Sequence, residues 1–303
     1  MLAAMDWPVM RLATVSTATG PTVAVQRDGR FYAWADVVDA PPVESMIDAL
    51  PMLTANHGRL FVRLDDAEVL EVDDGDLLAP IPVPRRDLIC LGKNFAAHAT
   101  EFAAAMGDKE DVPEAPVVFT KATTAVCGPN ATVYVDPEIT QEVDYEVELA
   151  VVIGKGGRSI ARHDAFAHVA GYTVLNDITA RDLQQRHKQW FLGKSLDGFA
   201  PMGPVLVTAD GLTDPTNLTL SCWVDDERRQ HAPARQMVFD IPFVIETISK
   251  VMTLQVGDIV AMGTPEGVGM GFNPPRYLHH GAVVVSEING IGRLRNTIEF
   301  IGT

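Results

Sequence analysis

The 303-residue sequence predicts an α+β fold that is mostly β: a mixed β-sandwich roll with peripheral helices, preceded by a small N-terminal β-rich domain. Three observations predict it. Short runs rich in Val and Ile recur along the chain, as expected for buried strands. Strands and helices do not alternate strictly, which argues against a doubly wound parallel sheet. The connector LLAPIPVPRRDLIC, with Pro80, Pro82 and Pro84, favours an extended path and separates residues 1–80 from a larger unit, 86–303.

The N-terminal part reads as the strands LATVS, TVAVQ, FYAWADV and RLFVRL, with the helix VESMIDALPML among them, and it carries no chemical constellation. In the larger unit PVVFTK, VELAVVIG, GYTVLND, PVLVTAD, LTLSCWVDD, DIVAMGTP and AVVVSEI read as strands. Helical periodicity is clearest in NFAAHATEFAAAMG, DAFAHVAGY, TARDLQQRHKQW and DIPFVIETISKVMTL.

Composition narrows the function. With 47% hydrophobic and 21% charged residues, the chain has ample material for a core. A formal net charge of -16 repels nucleic acid and anionic membrane and makes a cation the natural partner. Cys90, Cys127 and Cys222 form no CxxC pair, so neither zinc nor a disulfide framework is indicated. The start MLAAMDWPVM has no basic-then-apolar leader pattern, and no apolar run is long enough to cross a bilayer, so a cytoplasmic location is expected.

The acidic stretch DYEVELAVVIGKG, from Asp144, poses the main question. With a two-residue period, Tyr145, Val147 and Leu149 share one face, and Asp144, Glu146 and Glu148 share the other. No Lys or Arg lies between Ala122 and Gly154 to pair them along the chain. GYTVLNDITARD runs as a strand into Asp177, which can reach Glu146 and Glu148. Three carboxylates suit Mg²⁺ or Mn²⁺, with Ca²⁺ a further candidate. Spacing alone leaves open a solvated acidic face and an N-cap role for Asp177.

Five segments in order resemble the fumarylacetoacetate hydrolase family: ICLGKNFAAHATE, DYEVELAVVIGKGGR, GYTVLNDITARDLQ, WFLGKSLDGFAPMGP and MTLQVGDIVAMGTPEGVG. The resemblance implies a β-rich catalytic roll, a homodimer, a small 2-oxo acid substrate, and Mg²⁺ or Mn²⁺ held by Glu146, Glu148 and Asp177. It makes His98, oriented by Glu101 three residues on, the candidate base, against the alternative of a surface His and Glu meeting solvent. It makes Lys194 a buried cation near the substrate, where the bland alternative is a salt bridge to Asp197. Arg181, Gln184, Thr264 and Lys93 are the expected substrate contacts, with Arg181 alternatively in a structural ion pair and Thr264 alternatively only stabilising the turn before Pro265. Lys93 and Lys121 pair a distal carboxylate or are ordinary surface lysines. Phe95 and Ala122 depart from the family's common Tyr and Pro.

The favoured activity is cleavage of the C–C bond of an acylpyruvate such as fumarylpyruvate or acetylpyruvate through a metal-bound enolate. The rivals are oxaloacetate decarboxylation and isomerisation or tautomerisation of a 2-hydroxy-diene-dioate. A noncatalytic metal-binding protein is the reading outside enzymology. Residues 98–116 are expected to form a mobile lid. GTPEGVGMG lacks the GK[ST] of a phosphate loop, and His279 with His280 reads as loop chemistry.

Overall fold

The computed structural model describes residues 9–55, 60, 62–64, 67–73, 75–107 and 112–302. The chain begins with the meander β1 (Arg11–Thr17), β2 (Gly20–Arg27) and β3 (Arg30–Ala33). Helices α1 (Trp34–Val37) and α2 (Met46–Ala55) and the short β4 (Leu77–Leu78) follow. After the prolines come β5 (Leu88–Gly92), α3 (Ala96–Met106), β6 (Val117–Lys121), β7 (Val126–Cys127) and β8 (Thr132–Val135). The acidic stretch forms β9 (Val143–Asp144) and β10 (Val147–Ile153), and β11 (Val169–Asn176) leads to β12 (Thr179–Ala180), α4 (Arg181–Arg186) and α5 (Phe191–Lys194). β13 (Ala200–Thr208), the hairpin β14 (Thr219–Val224) and β15 (Glu227–Pro233), α6 (Ile241–Val251), β16 (Ile259–Ala261), β17 (Val283–Ile288) and β18 (Gly292–Phe300) complete the order.

The architecture is the predicted sheet-dominated α+β roll. An 11-stranded mixed sheet has the main order β3-β2-β1-β13-β11-β10-β16-β5-β6, and a five-stranded sheet has the order β15-β14-β17-β18-β8. The sequence marks a boundary at residues 80–86, yet strands on both sides of it share the large sheet: Arg11 pairs with Val207 across β1 and β13. β10 is buried on both faces. Val147, Leu149, Val151 and Ile153 enter one core cluster, while Ala150 and Val152 enter the other, where α2 packs. Full burial explains why β10 reads as a near-continuous apolar run after its one glutamate, Glu148.

Several sequence expectations change. DAFAHVAGY is not the expected α-helix: residues 162–168 form a 3₁₀ helix and Val169 already starts β11, because the β-branched run pairs with β10. FYAWADV divides between β3 and α1. RLFVRL lies partly outside the described residues, and its Val62 makes an isolated bridge to Val38. Of the expected lid, Ala96–Met106 is a helix closed by Gly107 in the left-handed region, and residues 108–111 lie outside the described residues. No helix among the described residues is long and apolar enough to cross a membrane.

Candidate metal centre and active site

Strand register builds the acidic centre. β10 pairs with β11 so that Val147 faces Asn176, and β9 pairs with β12 so that Asp144 faces Thr179. Asp177 falls at the break between the two ladders, where its N–H donates to the Glu146 carbonyl at 2.8 Å. The Asn176 side chain accepts from the Glu146 N–H at 3.0 Å. One carboxylate oxygen from each of Glu146, Glu148 and Asp177 thus lies within 4.8 Å of the others, and all three residues are buried. Three buried oxygen donors at this spacing fit a hard divalent cation.

Cationic side chains from elsewhere in the chain also neutralise this cluster. Lys194 Nζ donates to Glu146 Oε2 at 2.7 Å and to Asp177 Oδ2 at 2.6 Å. Lys121 Nζ donates to Asp177 Oδ1 at 2.5 Å and to the Ile178 carbonyl at 2.9 Å. Arg181 reaches Asp144 Oδ2 through Nε at 2.9 Å, Glu146 Oε1 through Nη2 at 2.6 Å and Gln184 Oε1 through Nη1 at 3.1 Å. Two expectations are corrected here. Lys121 is fully buried and not a surface lysine, and the ion-pair partners of Lys194 are Glu146 and Asp177, not the near-sequence Asp197.

This distribution splits the two glutamates. Burial raises the carboxyl of Glu146, but Lys194, Arg181 and His98 outweigh it and hold it below the ordinary carboxylate range. Burial raises Glu148 well above that range, and the charges of Asp177 and Glu146 push it further. Its hydrogen bond among the described residues is from the Gly263 N–H at 2.8 Å. Lys194 illustrates the opposite balance: burial lowers its ammonium, and Asp177 and Glu146 more than restore it.

α3 lays the candidate base over this floor. Lys93 turns the chain in the left-handed region at φ 56°, and Asn94 ties the turn down by donating to the Phe239 and Met262 carbonyls and accepting from the Phe239 N–H. His98 is only 5% exposed, so the solvent-facing alternative does not apply. Its Nδ1 lies 3.2 Å from Glu101 Oε2, which fixes the ring and leaves Nε2 for the cleft. Thr264 Oγ1 accepts from Gln230 Nε2 at 2.8 Å, which shares that donor with the Pro265 carbonyl.

The predicted residues converge. Lys93, His98, Glu146, Glu148, Arg181, Gln184, Lys194 and Thr264 line one cleft, which holds about 290 Å³ of space including open solvent. Glu101 stands behind His98, and the fully buried Asp177 lies under the two lysines. Sequence reasoning missed the aromatic wall of Phe102, Phe119 and Trp190, whose rings lie 5.7 Å and 5.2 Å from centroid to centroid on either side of Trp190. Gly92 makes room for that indole: a Cβ there would sit 2.3 Å from the ring. The missed signal for Lys121 was its place at the end of an apolar strand.

The family model described as the fumarylacetoacetate (FAA) hydrolase C-terminal domain matches residues 87–299. The chain belongs to the fumarylacetoacetate hydrolase family. It is 52% identical over 222 residues to oxaloacetate tautomerase YisK of Bacillus subtilis, covering 73% of this chain and 72% of that protein. It is 44% identical over 232 residues to the mitochondrial oxaloacetate tautomerase FAHD2A of Bos taurus, covering 76% and 71%. Among solved structures, a fumarylacetoacetate hydrolase from Exiguobacterium antarcticum matches with a TM-score of 0.83 at 38% identity, over 96% of this chain and 99% of that one. A 2-hydroxyhepta-2,4-diene-1,7-dioate isomerase from Mycobacterium marinum matches with a TM-score of 0.72 at 30% identity, over 97% and 100%.

Proposed function

We propose that this family member is a divalent-metal-dependent tautomerase that interconverts the enol and keto forms of a small 2-oxo dicarboxylic acid such as oxaloacetate. The observation that carries the reading is the placement of a buried His98, held by Glu101, in the same cleft as the carboxylate triad. The names of the oxaloacetate tautomerases to which the chain is similar favour this activity over the acylpyruvate hydrolysis that the motifs alone favour. A cation held by Glu146, Glu148 and Asp177 would supply a Lewis acid for the substrate's carboxylate and keto oxygens and would stabilise enolate charge.

The protein's own side chains do the rest. Tautomerisation takes a proton from the enol oxygen at C2, moves the double bond onto that oxygen and forms a C–H bond at C3, so atoms balance without water or any other reactant. His98 moves the proton, since Nδ1 is committed to Glu101 and Nε2 can accept and return it. Arg181 and Lys194 keep Glu146 ionised and in place, while Gln184 and Thr264 offer polar contacts to the substrate. Lys93, at the cleft lining beside Phe102, pairs the distal carboxylate. The aromatic wall restricts the cleft to small acids and lowers the local dielectric, which strengthens each charge contact.

Hydrolysis is the second reading, carried by the likeness to the Exiguobacterium hydrolase. It needs water to attack a carbonyl beyond C3, a demand that tautomerisation does not make. Purified protein with Mg²⁺ or Mn²⁺ should be offered enol-oxaloacetate, acetylpyruvate and fumarylpyruvate in parallel, with enol absorbance, pyruvate and CO₂ followed. Accelerated enol decay without pyruvate release supports the tautomerase. Pyruvate release from an acylpyruvate as the dominant activity overturns it.

A further inference from the structure

The glycine-rich segment Gly263–Gly271 lacks the GK[ST] of a phosphate loop, and its backbone N–H groups and bare Cα positions receive carboxylates of the protein itself. Gly267 N–H donates to Glu101 Oε1 at 3.0 Å and Oε2 at 3.2 Å. Gly269 N–H donates to Asp144 Oδ1 at 2.6 Å, and Met270 N–H donates to Asp144 Oδ2 at 3.0 Å. One short loop therefore receives a carboxylate from α3 and a carboxylate from the acidic stretch. Asp144 in turn holds Arg181, which holds Glu146.

We propose that this loop is a carboxylate cradle that positions His98 over the triad, with Gly271 as a positioning residue that admits Glu101. Space, not backbone conformation, demands glycine at 271. A Cβ there would lie 2.1 Å from Glu101 Oε1 and 2.3 Å from its Cδ, far inside van der Waals contact. Its φ is not positive, so alanine meets no backbone strain at this position, and the contact with Glu101 is the reason for glycine. Gly267 differs, because its φ of 98° penalises any side chain, and a Cβ added there would lie 2.0 Å from the Arg229 carbonyl oxygen. Phe102, Val268 and Met270 form a small apolar cluster separate from the two main cores, with Trp190 packed on it. The cradle and this cluster are what fasten the middle of α3 to the loop.

The inference rests on the proposed role of His98, and its test includes a readout independent of that role. In the metal-loaded enzyme, Gly271→Ala should expel the Glu101 carboxylate and raise hydrogen exchange across residues 98–105 at least tenfold. It should lower kcat for enol decay tenfold or more and leave calorimetric Mn²⁺ affinity within about threefold. Introduced into Glu101→Ala, the same substitution should add less than twofold to either effect, because the group it strikes is gone. Unchanged exchange in Gly271→Ala, or an equal loss with Glu101 present and absent, overturns the cradle. Faster exchange with undiminished kcat leaves the cradle standing and instead overturns the assignment of the proton transfer to His98. Should Gly271→Ala fail to fold, Glu101→Ala alone decides: its α3 must exchange at least tenfold faster than wild type.

Discussion

Replacing Lys194 by Met removes the ammonium that bridges Glu146 and Asp177 and keeps most of its buried hydrocarbon. Breaking a buried ion pair by removing one partner costs about 3–5 kcal/mol, because charge is left uncompensated. The lower end applies, since Glu146 keeps Arg181 and Asp177 keeps Lys121. At about 2.1 cal/mol/K per residue, unfolding a chain of 303 residues carries about 0.64 kcal/mol/K of entropy, so 3 kcal/mol corresponds to about 5 °C. In EDTA, Lys194→Met should therefore unfold about 5 °C below wild type. A divalent cation in the triad replaces the missing charge, so saturating Mn²⁺ should raise the variant's midpoint by more than it raises the wild type's. Scanning calorimetry of both proteins in EDTA and in Mn²⁺ gives the four midpoints. A variant as stable as wild type in EDTA, or an equal gain from Mn²⁺ in both, rules out this charge balance.

Three further outcomes are expected. Glu148→Gln, which keeps an acceptor for the Gly263 N–H, should fold normally and bind Mg²⁺ at least about tenfold more weakly by calorimetry; undiminished affinity contradicts the ligand assignment. His98→Ala should lower kcat for enol decay by about 10²–10⁴-fold with metal affinity unchanged, and a parallel loss of metal would assign His98 to the metal instead. Burial pushes the thiols of Cys127 and Cys222 up to about 12 and also raises Cys90, so at pH 8 the first two are thiolate only on the order of 10⁻⁴ of the time. Cys90 and Cys222 in native protein should then resist maleimide until it is unfolded, with the half-buried Cys127 labelled first and slowly, and rapid labelling of Cys90 or Cys222 observed by mass spectrometry would contradict their burial.

The legible part of this molecule is the part with a strong period. VELAVVIG and GYTVLND announce β10 and β11 because both faces are buried, and DIPFVIETISKVMTL announces α6 through its apolar stripe and its Asp240 cap, which accepts from the Phe243 N–H. Strands such as β15 and β18 are hidden: ERRQHAP and GRLRNTIEF carry polar residues on an exposed face, and pairing with β14 and β17 decides their state. The acidic pattern points to Glu146, Glu148 and Asp177, but the sequence does not reveal which cations face them. Lys121, Arg181 and Lys194 reach the triad only through the register of three separate elements. The absent GK[ST] argues against a phosphate loop in the glycine-rich segment, whereas its carboxylate partners become visible only when α3 and β9 are brought against it.

Enol chemistry in this cleft should require a divalent cation held by the triad. Stopped-flow decay of enol-oxaloacetate absorbance, with wild type and Glu148→Gln each in EDTA and across a Mn²⁺ titration, is the decisive measurement. Catalysis by wild type should appear with Mn²⁺, vanish in EDTA and be nearly absent from Glu148→Gln at the same metal concentration. Equal rates in EDTA and Mn²⁺, or a Glu148→Gln enzyme as fast as wild type, would contradict the metal-dependent tautomerase.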